Sequence, residues 1–459
     1  MSCLCFLLAF PAFAQVNQPS PPANTSDAEV AQPDSGPAVF SHSQTSPFYV
    51  AGQINFIFQA HPAFHAKYSG PQSFRNNPQE ALSRVATLFL GVQATQTTEF
   101  MLDVEETGGG GLSDAFGLAG FTNLDVVRNP DLGAAPYIAR VMMRQVIPLS
   151  SKRSESDRNY LSLATSLPER RLEFRIGKWG IADFFDVNEV GTDSHLQFAN
   201  WTIDNNGGYD YAADTRGYTY GAILEYQSPR WGVRLGEALM PTVANGLDLE
   251  FNLRRARSEN LEFEFRPTLL KGRKTGIKPL AYLNHANMGD YREAIDSFLA
   301  GNGTRPDVTS TREQGRLKQG FGLNVLQELP ASLRFFFRLG WNEGHHESFA
   351  YTEVNNTFAT GLDVSGNRWG RHFDRLGLAV ATNGLSADHR EYLALGGLGF
   401  LLGDGALNYG RENIAESYYT LHVWRGAYFA ALLQYVDDPG YNRDRGPVIV
   451  PGTRLHIDF

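Results

Sequence analysis

From residue 48 to residue 459 the chain alternates between apolar and polar side chains with period two, and this constrains its fold more than any other feature. Phe48, Val50, Ile54, Phe56 and Phe58 alternate with Gln53, Asn55 and Gln59. Leu172, Phe174 and Ile176 alternate with Arg171, Glu173 and Arg175. Leu261, Phe263 and Phe265 alternate with Glu262, Glu264 and Arg266. Leu333, Phe335, Phe337, Leu339 and Trp341 flank Arg334 and Arg338, and Leu455, Ile457 and Phe459 flank Arg454, His456 and Asp458. Successive side chains of a strand point to opposite faces, so many strands share one apolar, aromatic face and one charged face. A soluble sandwich also alternates. A whole face filled with charges of both signs suits a water-filled interior better.

Composition narrows the class. With 31 Phe, 19 Tyr, 46 Gly and 19% charged residues in 459, the chain is not disordered. Its 40 Lys+Arg against 49 Asp+Glu give a formal charge of -9, which argues against nucleic-acid binding. Cys3 and Cys5 are the two cysteines. Both sit in an apolar N-terminal segment that reads as a signal peptide over 1–14, with residues 4–10 as its apolar run and Ala12-Phe13-Ala14 as a small-x-small cleavage site. Its removal leaves no thiol for a disulfide scaffold, a thiolate metal site or a cysteine nucleophile. Residues 15–46, rich in Pro, Ser, Asn, Gln, Asp and Ala, read as a disordered leader, and 47–459 as one domain. No stretch reaches the ~18 apolar residues of a membrane helix.

Candidate strands fall near 47–60, 84–94, 97–106, 137–149, 169–178, 216–227, 230–239, 248–254, 260–269, 276–287, 319–329, 331–341, 348–362, 372–382, 413–424, 427–436 and 450–459. Bacterial single-chain barrels carry an even number, with short turns on one side and long loops on the other. Long connections at 61–83, 107–136, 179–215, 288–318, 383–412 and 437–449 alternate with short turns, provided 248–254 is assigned to a loop. One connection, 150–168, is long on the short side. The expected fold is therefore all-β: a transmembrane antiparallel barrel of about 16 strands. Its long loops carry short helices at Tyr291–Leu299 and 387–395. Phe459 ends the last alternating strand, the terminal aromatic that barrel-assembly machinery reads in outer-membrane barrels.

Several stretches resemble the carbohydrate-selective porins of the OprB family. They are Asp388-His-Arg-Glu-Tyr, the run from Gly399 to Gly410, the run from Pro439 to Pro447, and Arg454-Leu-His-Ile-Asp-Phe459. Gly177-Lys-Trp, Asp183-Phe-Phe-Asp-Val-Asn188, Phe198-Ala-Asn-Trp201 and Asp214-Thr-Arg-Gly-Tyr218 belong to the same pattern, as do His61-Pro-Ala-Phe and Tyr68-Ser-Gly-Pro71. The resemblance covers roughly residues 48–459. It implies a sixteen-stranded outer-membrane barrel passing monosaccharides such as glucose by diffusion through a narrow constriction with arginines. A porin for another small solute, such as an anion, and a secreted soluble carbohydrate-binding β-protein are the alternatives. The partners implied are a carbohydrate, outer-membrane lipid and, through Phe459, the assembly machinery. Homo-oligomerisation is left open.

Sugars are uncharged and rich in hydroxyls, so a selective pore needs polar groups that exchange hydrogen bonds with those of water. Arg171, Arg175, Arg334 and Arg338 are pore-lining candidates because a charge facing lipid costs ~2–4 kcal/mol. Lys178 and Arg216 join them from the stretches that carry the resemblance. Asn188, Trp201, Asn205 and Asp214 come from the 179–215 loop, whose polar and aromatic content suits inward folding. The Gly-rich 107–136 loop is the rival constriction. Asp186 begins a calcium-loop pattern that fails at Val190 and Gln197. No Gly-x-Ser-x-Gly places a nucleophile, and the Glu262/Glu264 pair is explained by lumen solvation, so neither enzyme chemistry nor a cofactor or metal is expected.

Overall fold

The computed structural model of the chain describes residues 38–126 and 132–459. The signal peptide expected over 1–14 and residues 15–37 of the leader lie outside the described residues. Sixteen strands close into one antiparallel barrel in which each pairs with its neighbours along the chain. In order they begin with β1 (Phe48–His61), β2 (Gln79–Gln93), β3 (Thr98–Gly109) and β4 (Tyr137–Pro148). Next, β5 (Arg153–Glu155) and β6 (Ser166–Pro168) pair only with each other, outside the barrel sheet. The barrel resumes with β7 (Arg171–Trp179), β8 (Thr219–Gln227), β9 (Trp231–Ala238), β10 (Arg257–Phe265), β11 (Thr275–Met288) and β12 (Glu313–Leu329). It ends with β13 (Leu333–Asn342), β14 (Asn356–Ser365), β15 (Arg375–Gly384), β16 (Glu412–Trp424), β17 (Ala427–Asp437) and β18 (Val448–Asp458). β18 closes on β1, with Asp458 facing Gln53 and Gly452 facing Gln59.

Each of the sixteen expected strands is present, and 248–254 lies in a loop. The strand expected over 348–362 starts only at Asn356, because Phe349, Ala350, Tyr351 and Val354 are buried in a connection rather than alternating along the wall. The helix α2 (Tyr291–Leu299) is started by Asp290, whose side chain accepts from the Glu293 amide. The helix α3 (Ala387–Ala394) is started in the same way by Ser386, and ends one residue before the expected boundary. A single further turn, α1 (Trp201–Asp204), lies in the 180–218 loop.

The barrel is inverted relative to a soluble protein. Outward positions such as Phe58, Leu88, Phe100, Ile176, Leu235, Phe321, Leu378 and Leu433 expose their apolar side chains around the circumference. Tyr226, Trp231, Phe265, Trp369 and Trp424 gather near the short-turn end, and Tyr220, Phe321 and Trp341 near the other. An apolar band between aromatic girdles is the surface a bilayer requires. Short turns place the chain's end on the periplasmic side and the long loops outside. Polar and charged residues line the interior instead, including Arg144, Arg171, Arg175, Lys318, Arg338 and Arg454, all fully or almost fully covered. What covers them are loops folded into the barrel.

Candidate functional site

The 180–218 loop crosses the lumen and is held there by the wall. Arg338 of β13 donates to the carbonyls of Asp186, Gly191 and Ile203 at 3.0, 3.1 and 2.8 Å, and to the Thr192 hydroxyl at 2.7 Å. Arg454 of β18 donates to the carbonyls of Ser194 and Gln197 at 2.7 and 2.8 Å. The Glu416 carboxylate of β16 accepts the amides of Ala199 and Asn200 at 2.8 and 3.0 Å. Glu412, also on β16, accepts those of Ala119 and Gly120 at 3.0 and 2.6 Å, which fixes the described part of the 110–136 loop, residues 110–126, beside the first. Both rival loops therefore fold inward. Backbone groups withdrawn from water need such partners, and charged partners give the stronger bonds. The approach is close: a Cβ on Gly340 would collide with the Asn206 side chain.

A third inward element comes from the opposite end. The connection between β4 and β7, too long for its side, inserts its tip into the periplasmic half of the barrel. Tyr160 stacks on Phe89 with ring centroids 4.5 Å apart, beneath the Arg140 guanidinium at 5.0 Å. The Leu163 amide donates to Glu99 at 3.1 Å, and Ser162 meets Arg144 at 2.6 Å. Gly91 makes room, since a Cβ there would sit 2.9 Å from Leu163.

These insertions leave one side of the lumen closed and another open. On the closed side, charges run round the wall in alternation. Arg144 bridges Glu99 and Glu173 at 3.0 and 2.8 Å. Arg175 bridges Glu173 and Glu225 at 2.5 and 2.9 Å, and Arg234 bridges Glu225 and Glu262 at 2.5 and 2.7 Å. Arg171 adds a third cation to Glu173 at 2.5 Å.

The open side is an off-centre cavity of about 490 Å³ that runs past Gln53, Phe89, Glu105, Tyr137 and Arg140 to His42 and Phe459 at the periplasmic mouth. Near the outer mouth the hydroxyls of Tyr137 and Tyr218 donate to the Glu105 carboxylate, and Arg216 lies over the Tyr137 ring at 4.0 Å. Arg140 is paired with Asp183 at 2.6 Å and with Asp103 at 3.2 Å. Deeper, His195 meets Asp125 at 3.2 Å and stacks on His456 with centroids 5.4 Å apart. Burial alone would lower the His195 pKa, but the Asp125 carboxylate wins and pushes it up to about 9. At Asp204, in the same loop, burial dominates and holds the carboxyl well above the usual range.

Of the ten residues expected to line the pore, Trp201, Asn205, Asp214 and Arg216 border this cavity. The other six stand elsewhere. Arg171 and Arg175 point inward but belong to the ion-pair ladder, and Arg338 holds the loop. Arg334 is paired with Asp363 at 2.6 Å, near the periplasmic turns. Asn188 donates to Asn324 at 2.6 Å, behind the loop. Lys178 shares register rows with Val141 and Tyr220, both exposed outward, and donates to the Ile138 carbonyl at 2.9 Å. The cavity also brings in Glu105, Arg140, Arg158, Tyr160 and His195, which the alternation alone did not single out. The surplus length between β4 and β7 was the available signal for Arg158 and Tyr160. Among the described residues no cluster of three or more His, Cys, Asp or Glu is placed to hold a metal.

Residues 51–459 match the family model described as carbohydrate-selective porin, OprB family. No curated protein matches. Among solved structures, Pseudomonas putida OprB, determined at high pH, is similar in fold with a TM-score of 0.68 and 16% identity, over 90% of this chain and 94% of that one. A loop-deletion mutant of Vibrio cholerae OmpT gives a TM-score of 0.45 at 10% identity over 90% of this chain and 100% of its own. Pseudomonas aeruginosa OpdL gives 0.43 at 8% identity over 90% and 98%.

Proposed function

This chain belongs to the carbohydrate-selective porin, OprB family, and on that premise we propose that monosaccharides diffuse down their gradient through the off-centre cavity beside β1–β4. It is a channel of the bacterial outer membrane. The observation that carries the route is an open passage of about 490 Å³ bordered by fixed donors and acceptors from three inserted loops and the wall. A hexose entering it would trade water's hydrogen bonds for those of Asn205, Asp214, Arg140 and the tyrosine hydroxyls. Each contact is weak and several follow in sequence, which transit requires. Arginine contact with the sugar, on this reading, falls to Arg140, Arg158 and Arg216 rather than to the arginines of the ladder. Family and fold are those of a channel, and every charged group described above has a structural or lining role without a reaction step. Phe459, whose backbone pairs with Gly52, is the end by which assembly machinery would take hold of the chain.

Single-channel conductance in a planar bilayer, titrated first with glucose and then with other sugars, tests this. The expected result is a saturable fall in conductance with half-effect near the millimolar range, about 4 kcal/mol of binding. Open channels indifferent to every sugar would overturn the sugar reading and leave the barrel.

A further inference from the structure

The ladder removes arginines from the lumen's accessible surface, and what remains beside the passage is acidic. Among the described residues the passage is bordered by Glu105, Asp125, Asp183, Asp193, Asp214 and Asp458, and by Asp204 with its carboxyl held well above the usual range, against Arg140, Arg158, Arg216 and the His195 imidazolium. Arg140 is already committed to Asp103 and Asp183. Three carboxylates are held by neutral donors alone among the described residues. Glu105 accepts from Tyr137, Tyr218 and Thr87, Asp193 from the amides of His195 and Leu196, and Asp214 from the amides of Arg216 and Tyr218. A fourth is unfinished. The Asp204 side chain is buried against the passage, and its Oδ2 accepts from the Asn205 side chain at 2.9 Å. Its Oδ1 has no hydrogen-bond partner among the described residues.

We propose that the passage is an acidic filter that admits neutral and amino sugars and rejects anionic ones such as uronates and sugar phosphates. This rests on the porin reading and sharpens it. Lys178 and Arg216 lie near Asp214, Lys178 near Glu105, and Arg454 and His195 near Asp193. Among the described residues no cationic group donates to these carboxylates, so part of their field remains, and a narrow low-dielectric passage focuses it on whatever enters. Asp204 Oδ1, which carries the carboxyl proton, donates to a sugar hydroxyl, and an arriving ammonium draws that proton off. A uronate brings the same hydroxyls and adds a negative charge that the acidic lining repels. Removing the ion-paired arginines from view thus reverses the charge preference that a count of inward arginines suggests.

The test uses the full-length barrel and a variant carrying Glu105→Gln, Asp193→Asn and Asp214→Asn. The new Asn oxygens still accept the backbone amides held by Asp193 and Asp214, so these loop anchors are unchanged, and at position 105 the amide oxygen keeps the tyrosine hydroxyls while its NH2 donates to Thr87. Reversal potentials are measured in a KCl gradient, and liposome entry rates are measured for glucose, glucosamine and glucuronate. The native channel is expected to prefer K⁺ over Cl⁻ by about fivefold, and to pass glucuronate about fivefold more slowly than glucose. The triple variant is expected to lose most of both differences. Anion preference in the native channel, glucuronate entry as fast as glucose, or an unchanged triple variant would each overturn the filter. If no sugar enters and none reduces conductance while K⁺ preference persists, the filter stands and the sugar reading falls.

Discussion

The wall from β7 to β10 and the wall from β1 to β3 face the same lumen, and both are lined with polar side chains. They do opposite things with them. On the first, each carboxylate stands between guanidiniums: Glu173 touches Arg144, Arg171 and Arg175, and Glu225 touches Arg175 and Arg234. The charges satisfy one another, and the start of the 180–218 loop packs against them, with Phe184 beside Arg175 at 5.1 Å. On the second, Gln53, Asn55 and Thr87 are themselves neutral and Glu105 accepts from hydroxyls, and the passage stays open beside them. In this barrel a continuous run of ion pairs backs the closed wall, and the passage runs where neutral side chains interrupt the pairs.

Glu173→Gln should sharpen the contrast most. It leaves three buried guanidiniums short of a counter-charge, and breaking a buried pair typically costs ~3–5 kcal/mol. Equilibrium unfolding of the refolded barrel should register that loss while conductance stays near native, because Glu173 and its arginines do not border the passage. A large conductance change at native stability would break the division between the two walls.

Arg338→Ala comes next. It strips the donor from three loop carbonyls and the Thr192 hydroxyl, a loss of about 3 kcal/mol for buried acceptors left unpaired. The loop should loosen, with higher and noisier single-channel current. Unchanged current would mean that the loop's other anchors, Arg454 and Glu416 among them, suffice to hold it.

His195 should give the smallest effect, and one with a pH signature. Its pKa is raised, so its pairing with Asp125 stabilises fully below about 6.5 and fades as pH rises through about 9. With a fifth of the side chain open to the passage, the loss is about 2 kcal/mol once solvent screening is allowed for. His195→Gln should flatten stability across that window. A native-like slope in the variant would assign the pH dependence to other groups.

Much of the fold was legible because alternation reports direction. Leu172, Phe174 and Ile176 against Arg171, Glu173 and Arg175 set the face of β7 without any tertiary information. It could not report what the inward side chain meets. Arg175 and Arg140 are both inward arginines; one is locked between glutamates and the other borders the passage, and only the inserted loops decide which. Lys178 illustrates the limit at a strand end, where its register with Val141 and Tyr220 turns it outward. Phe349, Tyr351 and Val354 imitated a strand because apolar residues buried under loops look like apolar residues facing lipid. The excess length of 150–168 was a true signal, and its meaning needed the contact of Tyr160 with Phe89.

Reagent access to single cysteines tests the division of the lumen most directly. In a background with Cys3 and Cys5 replaced by serine, Thr215→Cys borders the passage and Ser258→Cys sits on the inner face of β10, away from it. A water-soluble thiol reagent added during bilayer recording should cut the current through the Thr215→Cys channel and leave Ser258→Cys unmodified. Rapid modification and block at Ser258→Cys, with Thr215→Cys inert, would contradict the account.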